Sequence, residues 1–230
     1  MISSPTETRN ALGYALARPL FVAEIAIGAT DPRAAHNRPL PQESAVMVHM
    51  APVRQRAYAA GRVAAHSAMA ALGQSARPVL TAPDRAPVWP DGLAGSISHS
   101  KTCCVAALGP SSQFRALGVD VEEATALDSD LLPVVCTSAE LGWLAAQPKS
   151  EAEILAKMIF SAKECAYKCQ YALTRALFGF ETFEVTPDLD TGQFEATFRR
   201  DVLPFSAGTC LHGRFVIANG LIVTAMALRV

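Results

Sequence analysis

The feature that most constrains the fold of this sequence is a long amphipathic helix predicted over residues 150–174. Apolar side chains recur there at helical spacing and predict one buried face. This apolar stripe consists of Leu155, Ile159, Ala162, Ala166, Cys169 and Leu173. A polar line runs beside it and consists of Lys157, Ser161, Glu164 and Lys168. A helix of this kind requires a second layer to pack against.

Two members of the polar line, Glu164 and Lys168, are four residues apart and share one face of the helix. The simplest interpretation is a surface ion pair, which would stabilise the helix by about 0.2–0.5 kcal/mol. The alternative is that both side chains point into a functional site. The helix alone does not decide between the two.

The other predicted elements place this helix in an α+β fold. In chain order they are a helix at 51–73, a Pro-rich loop at 74–93, strand-like runs at 95–109 and 114–123, a helix at about 137–147, and antiparallel strands from about 180 to the C-terminus. Asn219-Gly220, between two apolar runs, is a strong β-hairpin signal. We expect two similar lobes, residues 1–116 and 117–230, each with a long helix on a small, mostly antiparallel sheet. The active site is expected in the cleft between them.

Composition and charge argue against several classes of protein. The net charge is −1, so no overall positive field indicates a nucleic-acid-binding protein. No apolar run approaches the roughly 20 residues that span a bilayer, and the N-terminus does not read as a secretory signal. The six cysteines form no CxxC pair and are interpreted as reduced thiols. We therefore expect a cytoplasmic protein, and a monomer.

Asp120 and Glu122 are the first candidates for chemistry. In a strand at GVDVE, residues 118–122, they point to the same side, at the end of an apolar run. Two carboxylates on one face suit a hard cation such as magnesium, which proteins hold through one or two carboxylates plus substrate phosphate. The competing interpretation is a solvated strand end.

His99 and Ser98, in GSISHS, and the helix cations Arg54 and Arg62 are the next candidates. The hydroxyl, the imidazole and the planar guanidinium groups suit a phosphate ligand. Taken singly, each has a structural or solvated alternative. A Ser-His-Asp hydrolase is not indicated, because the sequence has no GxSxG elbow.

The order of these pieces resembles a known family. GVDVE, followed about forty residues later by FSAKECAYK, is similar to the 4′-phosphopantetheinyl transferase signature, a G-[IV]-D-x-E strand and a [FW]-[ST]-x-K-E-[SAC]-x-x-K helix. AGRVAAHSAM, RAPVWPDG and GSISH resemble further elements of its enterobactin-synthase subgroup. The resemblance covers residues from about 52 to 172. It implies transfer of the phosphopantetheine arm of coenzyme A to a serine of an acyl, peptidyl or aryl carrier protein, with release of 3′,5′-adenosine bisphosphate.

The resemblance also implies roles for individual residues. Magnesium would be held by Asp120, Glu122 and Glu164. Coenzyme A would be bound by Arg54 and Arg62 at its 3′-phosphate, by Ser98, His99, Lys163 and Lys168 at its phosphates, and by Arg85 on the adenine side. Glu164 and Lys168 are the implied catalytic residues, and Glu164 or a metal-bound water would take the serine proton.

Several alternatives stay open at this point. Glu123 adds a third acid beside Glu122, so the ligating carboxylates are not fixed. Lys157 and Met158 are candidates for a surface that receives an acidic carrier helix. A non-catalytic module that binds coenzyme A or a carrier is one alternative function, and a magnesium-dependent phosphatase of coenzyme A or nucleotides is another. The carrier served, whether in siderophore, polyketide or nonribosomal peptide biosynthesis, is not determined.

Overall fold

The computed structural model describes residues 5–230, and within them the chain has an α+β fold with two lobes. The helices are α1 (Pro5–Ala17), α2 (Pro41–Ser44), α3 (Pro52–Ala71), α4 (Leu132–Val135), α5 (Ser138–Ala145) and α6 (Lys149–Thr174). The strands are β1 (Ala26–Thr30), β2 (Leu80–Thr81), β3 (Pro87–Val88), β4 (Leu93–His99), β5 (Cys104–Pro110), β6 (Phe114–Glu123), β7 (Phe183–Asp188), β8 (Gln193–Phe198), β9 (Cys210–Ala218) and β10 (Leu221–Arg229).

The two lobes repeat one topology. The first has a three-stranded antiparallel sheet in the order β1-β5-β4, and the second has a five-stranded antiparallel sheet in the order β6-β10-β9-β8-β7. The path β1-α3-β4-β5 in the first lobe therefore matches β6-α6-β9-β10 in the second, where β7 and β8 are inserted. Two similar lobes, each a long helix on a small sheet, were predicted and are confirmed.

A glycine lets the long helix approach the first strand closely in each lobe. A Cβ at Gly28 in β1 would lie 1.9 Å from the carbonyl oxygen of Ala64 in α3. A Cβ at Gly118 in β6 would lie 2.3 Å from the carbonyl oxygen of Cys165 in α6. Only a residue without a side chain fits at either position, so Gly118 fixes how near α6 comes to the strand that carries Asp120.

The core has three buried clusters that follow this arrangement. One lies between α3 and the first sheet, and one lies between α6 and the second sheet. The third joins the lobes, because Leu117, Val119 and Val121 of β6 pack with Ile27 and Val105 of the first sheet. In β6 the apolar residues at 117, 119 and 121 thus face the shared cluster, while Asp120 faces α6.

Most predicted elements are confirmed, and several details differ. The helices predicted at 51–73, 137–147 and 150–174 correspond to α3, α5 and α6. The Asn219-Gly220 hairpin joins β9 to β10, with positive φ at both residues. The run at 95–109 is a hairpin of β4 and β5 rather than one strand, and α1 and β1 were not predicted. The chain leaves the first sheet at residues 111–113, so the boundary predicted after residue 116 falls inside β6.

Two further expectations concern cysteines and membranes. All six cysteines are free, and Cys165 and Cys169 are packing residues of α6, as predicted. None of the helices within residues 5–230 has both the length and the apolar character needed to cross a bilayer.

Candidate functional site

Two cavities lie beside β4, β6 and α6 at the junction between the lobes, and we call the line that joins them the groove. One end opens into a cavity of about 550 Å³, with Arg85, Trp89, Ser96, Ala116, Lys168 and Tyr171 in its wall. The other end opens into a cavity of about 590 Å³, with Val53, Arg56, His99, Lys101, Glu122 and Lys157 in its wall. Along α6 the step from Lys168 to Lys157 is eleven residues, about 16 Å. The residues between the two cavities form the candidate site.

Asp120 is the centre of this site. Its side chain is buried, with 2% of the residue exposed. Oδ1 accepts hydrogen bonds from Lys168 Nζ at 2.6 Å and from Ser98 Oγ at 2.7 Å, and Oδ2 accepts one from Ser161 Oγ at 2.8 Å. Lys168 Nζ also donates to Ser98 Oγ at 2.9 Å. One carboxylate thus connects β4, β6 and α6.

The spacing of residues on α6 explains how it reaches Asp120 twice. Ser161 and Lys168 are seven residues apart, which is about two helical turns, so they lie on the same face. That face is brought against β6 by the close contact at Gly118. Although burial opposes it, the charges of Asp120 and Glu164 raise the pKa of Lys168, so its ammonium group stays protonated at neutral pH.

Glu122 and Glu164 flank Asp120 and are partly buried. Burial and then the charge of Asp120 raise the pKa of Glu122 to about 7, although Lys157 lies 3.4 Å from its carboxylate. Burial also raises the pKa of Glu164, with Lys168 opposing the shift and Asp120 adding to it. Asp120 therefore lies close enough to Glu122 and to Glu164 to disfavour their ionisation.

Glu123 faces away from this cluster. Its Oε1 accepts hydrogen bonds from Ser100 Oγ, from the backbone N–H of Thr102 and from Thr102 Oγ1, at 2.7–3.0 Å. It therefore stabilises the turn between β4 and β5, which leaves Asp120, Glu122 and Glu164 as the acids of the site.

His99 lies close to the Asp120 carboxylate, and Arg54 lies close to His99. Desolvation and the charge of Lys168 lower the pKa of His99, Asp120 opposes the shift, and the charge of Arg54 adds to it. His99 is thus close to both Asp120 and Arg54 and is mostly neutral at pH 7. Arg54 is exposed on the first turn of α3.

Arg62 is a buried residue, with 6% of it exposed. Its Nε donates to the carbonyl oxygen of Val79 at 2.8 Å, its Nη2 donates to Thr81 Oγ1 at 3.0 Å, and its guanidinium lies 4.0 Å from the ring centre of Tyr58. The sequence predicted that Arg62 is either solvated or bound to a ligand. The structure shows that it also has a structural role, because it fixes the segment leading into β2.

Arg85 is at the tip of the ribbon formed by β2 and β3 and has a positive φ of 71°. The neighbouring Asp84 accepts a hydrogen bond from Tyr171 of α6 at 2.6 Å, which joins the ribbon to the second lobe. Arg85 and Tyr171 thus both line the 550 Å³ cavity at one end of the groove. Sequence reasoning named Arg85 but missed Tyr171.

Lys163 is placed differently from the prediction that it binds coenzyme A. Its side chain is 1% exposed, and Nζ donates to Val135 O at 2.7 Å, to Glu140 Oε2 at 2.8 Å and to Phe180 O at 3.2 Å. All three ammonium protons are used. Lys163 is therefore an internal residue of the second lobe, and Met158, a candidate for a carrier surface, is also buried.

Asp120, Glu122 and Glu164 offer the carboxylate oxygens that magnesium prefers, but their side chains do not converge on one point. Among the described residues, no three His, Cys, Asp or Glu side chains are arranged to hold a metal. The predicted convergence of three carboxylates is thus not present, because both oxygens of Asp120 bond to Lys168, Ser98 and Ser161. The pKa values of Glu122 and Glu164 are raised partly by the charge of Asp120, and a divalent cation bound here would reduce the repulsion among the three acids.

Ser161 is a site residue that sequence reasoning left without a role. Its Oγ contacts Asp120 and lies 3.0 Å from Thr224 Oγ1 of β10. The available signal was its place in the polar line of α6, three residues before Glu164 and seven before Lys168.

Comparisons with known proteins match this chain in both lobes. Residues 42–109 match the family model described as 4′-phosphopantetheinyl transferase N-terminal domain, and residues 116–219 match that of the 4′-phosphopantetheinyl transferase superfamily. The 4′-phosphopantetheinyl transferase Svp of Streptomyces mobaraensis is 33% identical over 192 residues, which cover 82% of this chain and 78% of the relative. The 4′-phosphopantetheinyl transferase PptT of Mycobacterium tuberculosis is 30% identical over 198 residues, which cover 83% and 86%. Enterobactin synthase component D of Escherichia coli is 32% identical over 143 residues, which cover 61% and 66%.

Proposed function

This chain belongs to the 4′-phosphopantetheinyl transferase superfamily, and from that premise we propose that it moves the 4′-phosphopantetheine arm of coenzyme A to a serine of a carrier protein, releasing 3′,5′-adenosine bisphosphate. The observation that carries this proposal is the arrangement around Asp120. A buried carboxylate, a protonated lysine and two further acids lie midway along a groove that is open at both ends.

The donor, coenzyme A, occupies the groove with its adenine ring toward the 550 Å³ cavity. Arg85 and Tyr171 line this cavity, and Lys168 lies where it meets the centre of the site. The diphosphate then lies beside Lys168, His99 and Ser98, which offer a cation and polar hydrogens. Arg54 is exposed near His99 and can contact the 3′-phosphate without losing a bond in the protein.

Arg62 contributes to the same phosphate site less directly. Two of its donors are bonded to Val79 and Thr81, and a guanidinium carries five N–H groups. Arg62 would contact the 3′-phosphate through its remaining N–H groups, while the bonds to Val79 and Thr81 keep the segment before β2 in place. This supports Arg54 as the stronger of the two contacts.

Asp120, Glu122 and Glu164 are the residues that would hold magnesium. When bound, the ion neutralises the diphosphate and stabilises charge that develops on its oxygens. The chain's own residues do the rest: Lys168 and His99 orient the diphosphate and stabilise the charge on its oxygens, and the buried surroundings of Asp120 exclude water. Glu164, partly buried close to Asp120, would accept the proton of the incoming serine.

The carrier approaches from the other end of the groove. Attacking and leaving oxygens lie roughly in line on opposite sides of the phosphorus, so a nucleotide that leaves toward the 550 Å³ cavity requires a serine that enters from the opposite side. That end has the exposed cations Arg56 and Lys101 and the exposed apolar residue Val53. Such a rim suits an acidic helix.

The test is to incubate the protein with coenzyme A, magnesium and a panel of apo carriers, and to weigh the carriers by mass spectrometry. We expect at least one carrier to gain the phosphopantetheine mass in the presence of the protein and not in its absence. Adenosine bisphosphate released without any carrier would instead indicate a phosphatase. Tight coenzyme A binding with no product would indicate a binding module.

A further inference from the structure

The second lobe contains a buried ion pair that the proposed chemistry does not use. Lys163 of α6 and Glu140 of α5 are both about 1% exposed and lie 2.8 Å apart. Glu140 Oε2 also accepts the backbone N–H of Thr137 at 2.6 Å, and Oε1 accepts that of Val185 at 2.7 Å. Lys163 and Glu140 therefore hold together three parts of the second lobe: the N-terminus of α5, the start of β7 and the middle of α6.

Lys163 also holds the segment that follows α6. Residues 176–182, which we call the strap, return along the face of α6 that carries Glu164. Lys163 Nζ donates to the carbonyl oxygen of Phe180 in the strap, and Phe180 packs on Phe160 with ring centres 5.5 Å apart. The far end of the strap is fixed by Thr182, whose carbonyl accepts from Arg199 N–H at 2.8 Å.

Glu164 lies close both to the strap and to Asp120. A cavity of about 240 Å³ separates α6 from the strap, and Glu164, Tyr167, Phe178 and Phe180 are in its wall. Lys163 immediately precedes Glu164, so any rotation or shift of α6 at residue 163 moves the Glu164 carboxylate relative to Asp120. A lysine whose three protons all bond to fixed backbone and carboxylate acceptors resists such a shift.

We infer that Lys163 and Glu140 form a positioning pair, which sets the location of the Glu164 carboxylate by fixing both the adjacent turn of α6 and the strap. This deepens the proposed function and rests on it, because Glu164 matters only if it serves the transfer site. It replaces the role that the sequence resemblance implied, in which Lys163 contacts coenzyme A. The two roles predict different effects on ligand binding.

The experiment compares the wild-type protein with the double variant Lys163→Met/Glu140→Gln. Removing one charge would leave the other buried and unpaired, whereas removing both leaves a neutral pair that a fold tolerates. Four quantities are measured: the thermal transition, coenzyme A affinity in EDTA, Mn²⁺ affinity by electron paramagnetic resonance, and kcat and KM with an apo carrier.

We expect the double variant to fold cooperatively and to bind coenzyme A in EDTA within about threefold of wild type. Mn²⁺ affinity and kcat should fall together, by about 10–100-fold, as they do when supporting residues of metal ligands are removed. A coenzyme A affinity in EDTA that is at least tenfold weaker would overturn the inference in favour of direct contact. Unchanged kcat and Mn²⁺ affinity would show that the pair only stabilises the fold.

A second variant, Lys163→Arg, keeps a positive charge opposite Glu140 and covers the case in which the double variant does not fold. Its planar guanidinium cannot reproduce the three bonds of an ammonium group, so Mn²⁺ affinity should still fall at least about threefold. Wild-type Mn²⁺ affinity in this variant would contradict the inference. If wild type transfers nothing to any carrier, the proposed function fails, whereas the Mn²⁺ comparison still tests the positioning of Glu164.

Discussion

At the scale of single residues, the site depends on Asp120 being shared. Its two oxygens accept hydrogen bonds from β4 and α6, and burial together with the charge of Asp120 raises the pKa of the adjacent acids Glu122 and Glu164. Lys168 pairs with Asp120 and Lys157 pairs with Glu122 at the edge of this cluster. Neutralising one acid of this cluster should therefore change metal binding and transfer activity.

Glu164→Gln should abolish transfer and leave the fold intact. The change preserves shape and removes a negative charge from the cluster, so metal binding and proton transfer are both lost while the apolar stripe of α6 is untouched. Glu153→Gln, an exposed position on the same helix, is the matched control and should behave as wild type. Carrier modification is followed by mass, and folding by circular dichroism. Near-normal activity of Glu164→Gln at low magnesium would make Glu164 a mere surface acid.

Arg54→Ala should weaken coenzyme A binding and spare its 3′-dephospho analogue. Loss of one charge-assisted hydrogen bond costs about 1.5–3 kcal/mol, or about 10–100-fold in affinity. Arg56→Ala, two residues along α3, is the control and should bind both ligands as wild type does. Isothermal titration measures the four affinities. Equal losses for the two ligands would exclude contact between Arg54 and the 3′-phosphate.

At the scale of elements, the site depends on how closely α6 lies on β6. Periodicity predicted α6 and the β9–β10 hairpin because their signals are local, a stripe of apolar residues and an Asn-Gly turn. The β4–β5 turn was not predictable, because it has no glycine or proline and is held by Glu123, twenty residues further along the chain. Lys163 was misassigned because its partner Glu140 is remote in sequence. Its spacing of four from buried Ile159 was the available signal.

Gly118→Ala should destabilise the second lobe and lower transfer activity together. The added Cβ would lie 2.3 Å from the carbonyl oxygen of Cys165, a backbone atom that cannot move without displacing α6. Overpacking of this kind costs about 1–3 kcal/mol or more in the free energy of unfolding. Gly142→Ala in α5 is the control, since its Cβ would meet no atom within 4 Å and should stabilise the helix slightly. Urea unfolding of both variants measures the difference, and equal stabilities would refute the close-contact explanation.

At the scale of the whole molecule, the two lobes share one topology, but only the second lobe provides the acids of the candidate site. Gly28 and Gly118 occupy matching positions, but Asp120 has Thr30 as its counterpart in β1, and the Thr30 hydroxyl donates to the carbonyl oxygen of Ala60. The acids thus belong to the second lobe, and the first lobe contributes Ser98, His99 and Arg54. The repeat could not be found by residue identity, since only the order of elements and the close glycine contacts are shared.

The division of the groove into a nucleotide end and a carrier end gives a prediction at this scale. The double variant Arg56→Glu/Lys101→Glu should raise the KM for an acidic carrier about tenfold or more at low salt, because two favourable charges become repulsive. Its KM for coenzyme A should not change. Lys149→Glu, an exposed lysine at the start of α6, is the control. Steady-state kinetics at two salt concentrations would contradict the assignment if all three proteins gave the same carrier KM.

The most direct test of the account is a crystal structure with coenzyme A and Mn²⁺, located by its anomalous signal. We expect one strong peak beside the carboxylate oxygens of Asp120, Glu122 and Glu164, which hold the ion directly or through water. The diphosphate should lie beside Lys168, and the adenosine should extend toward Arg85. A peak away from these carboxylates, or coenzyme A on a face that does not include Lys168 and His99, would contradict the claim that one groove between the lobes carries the reaction.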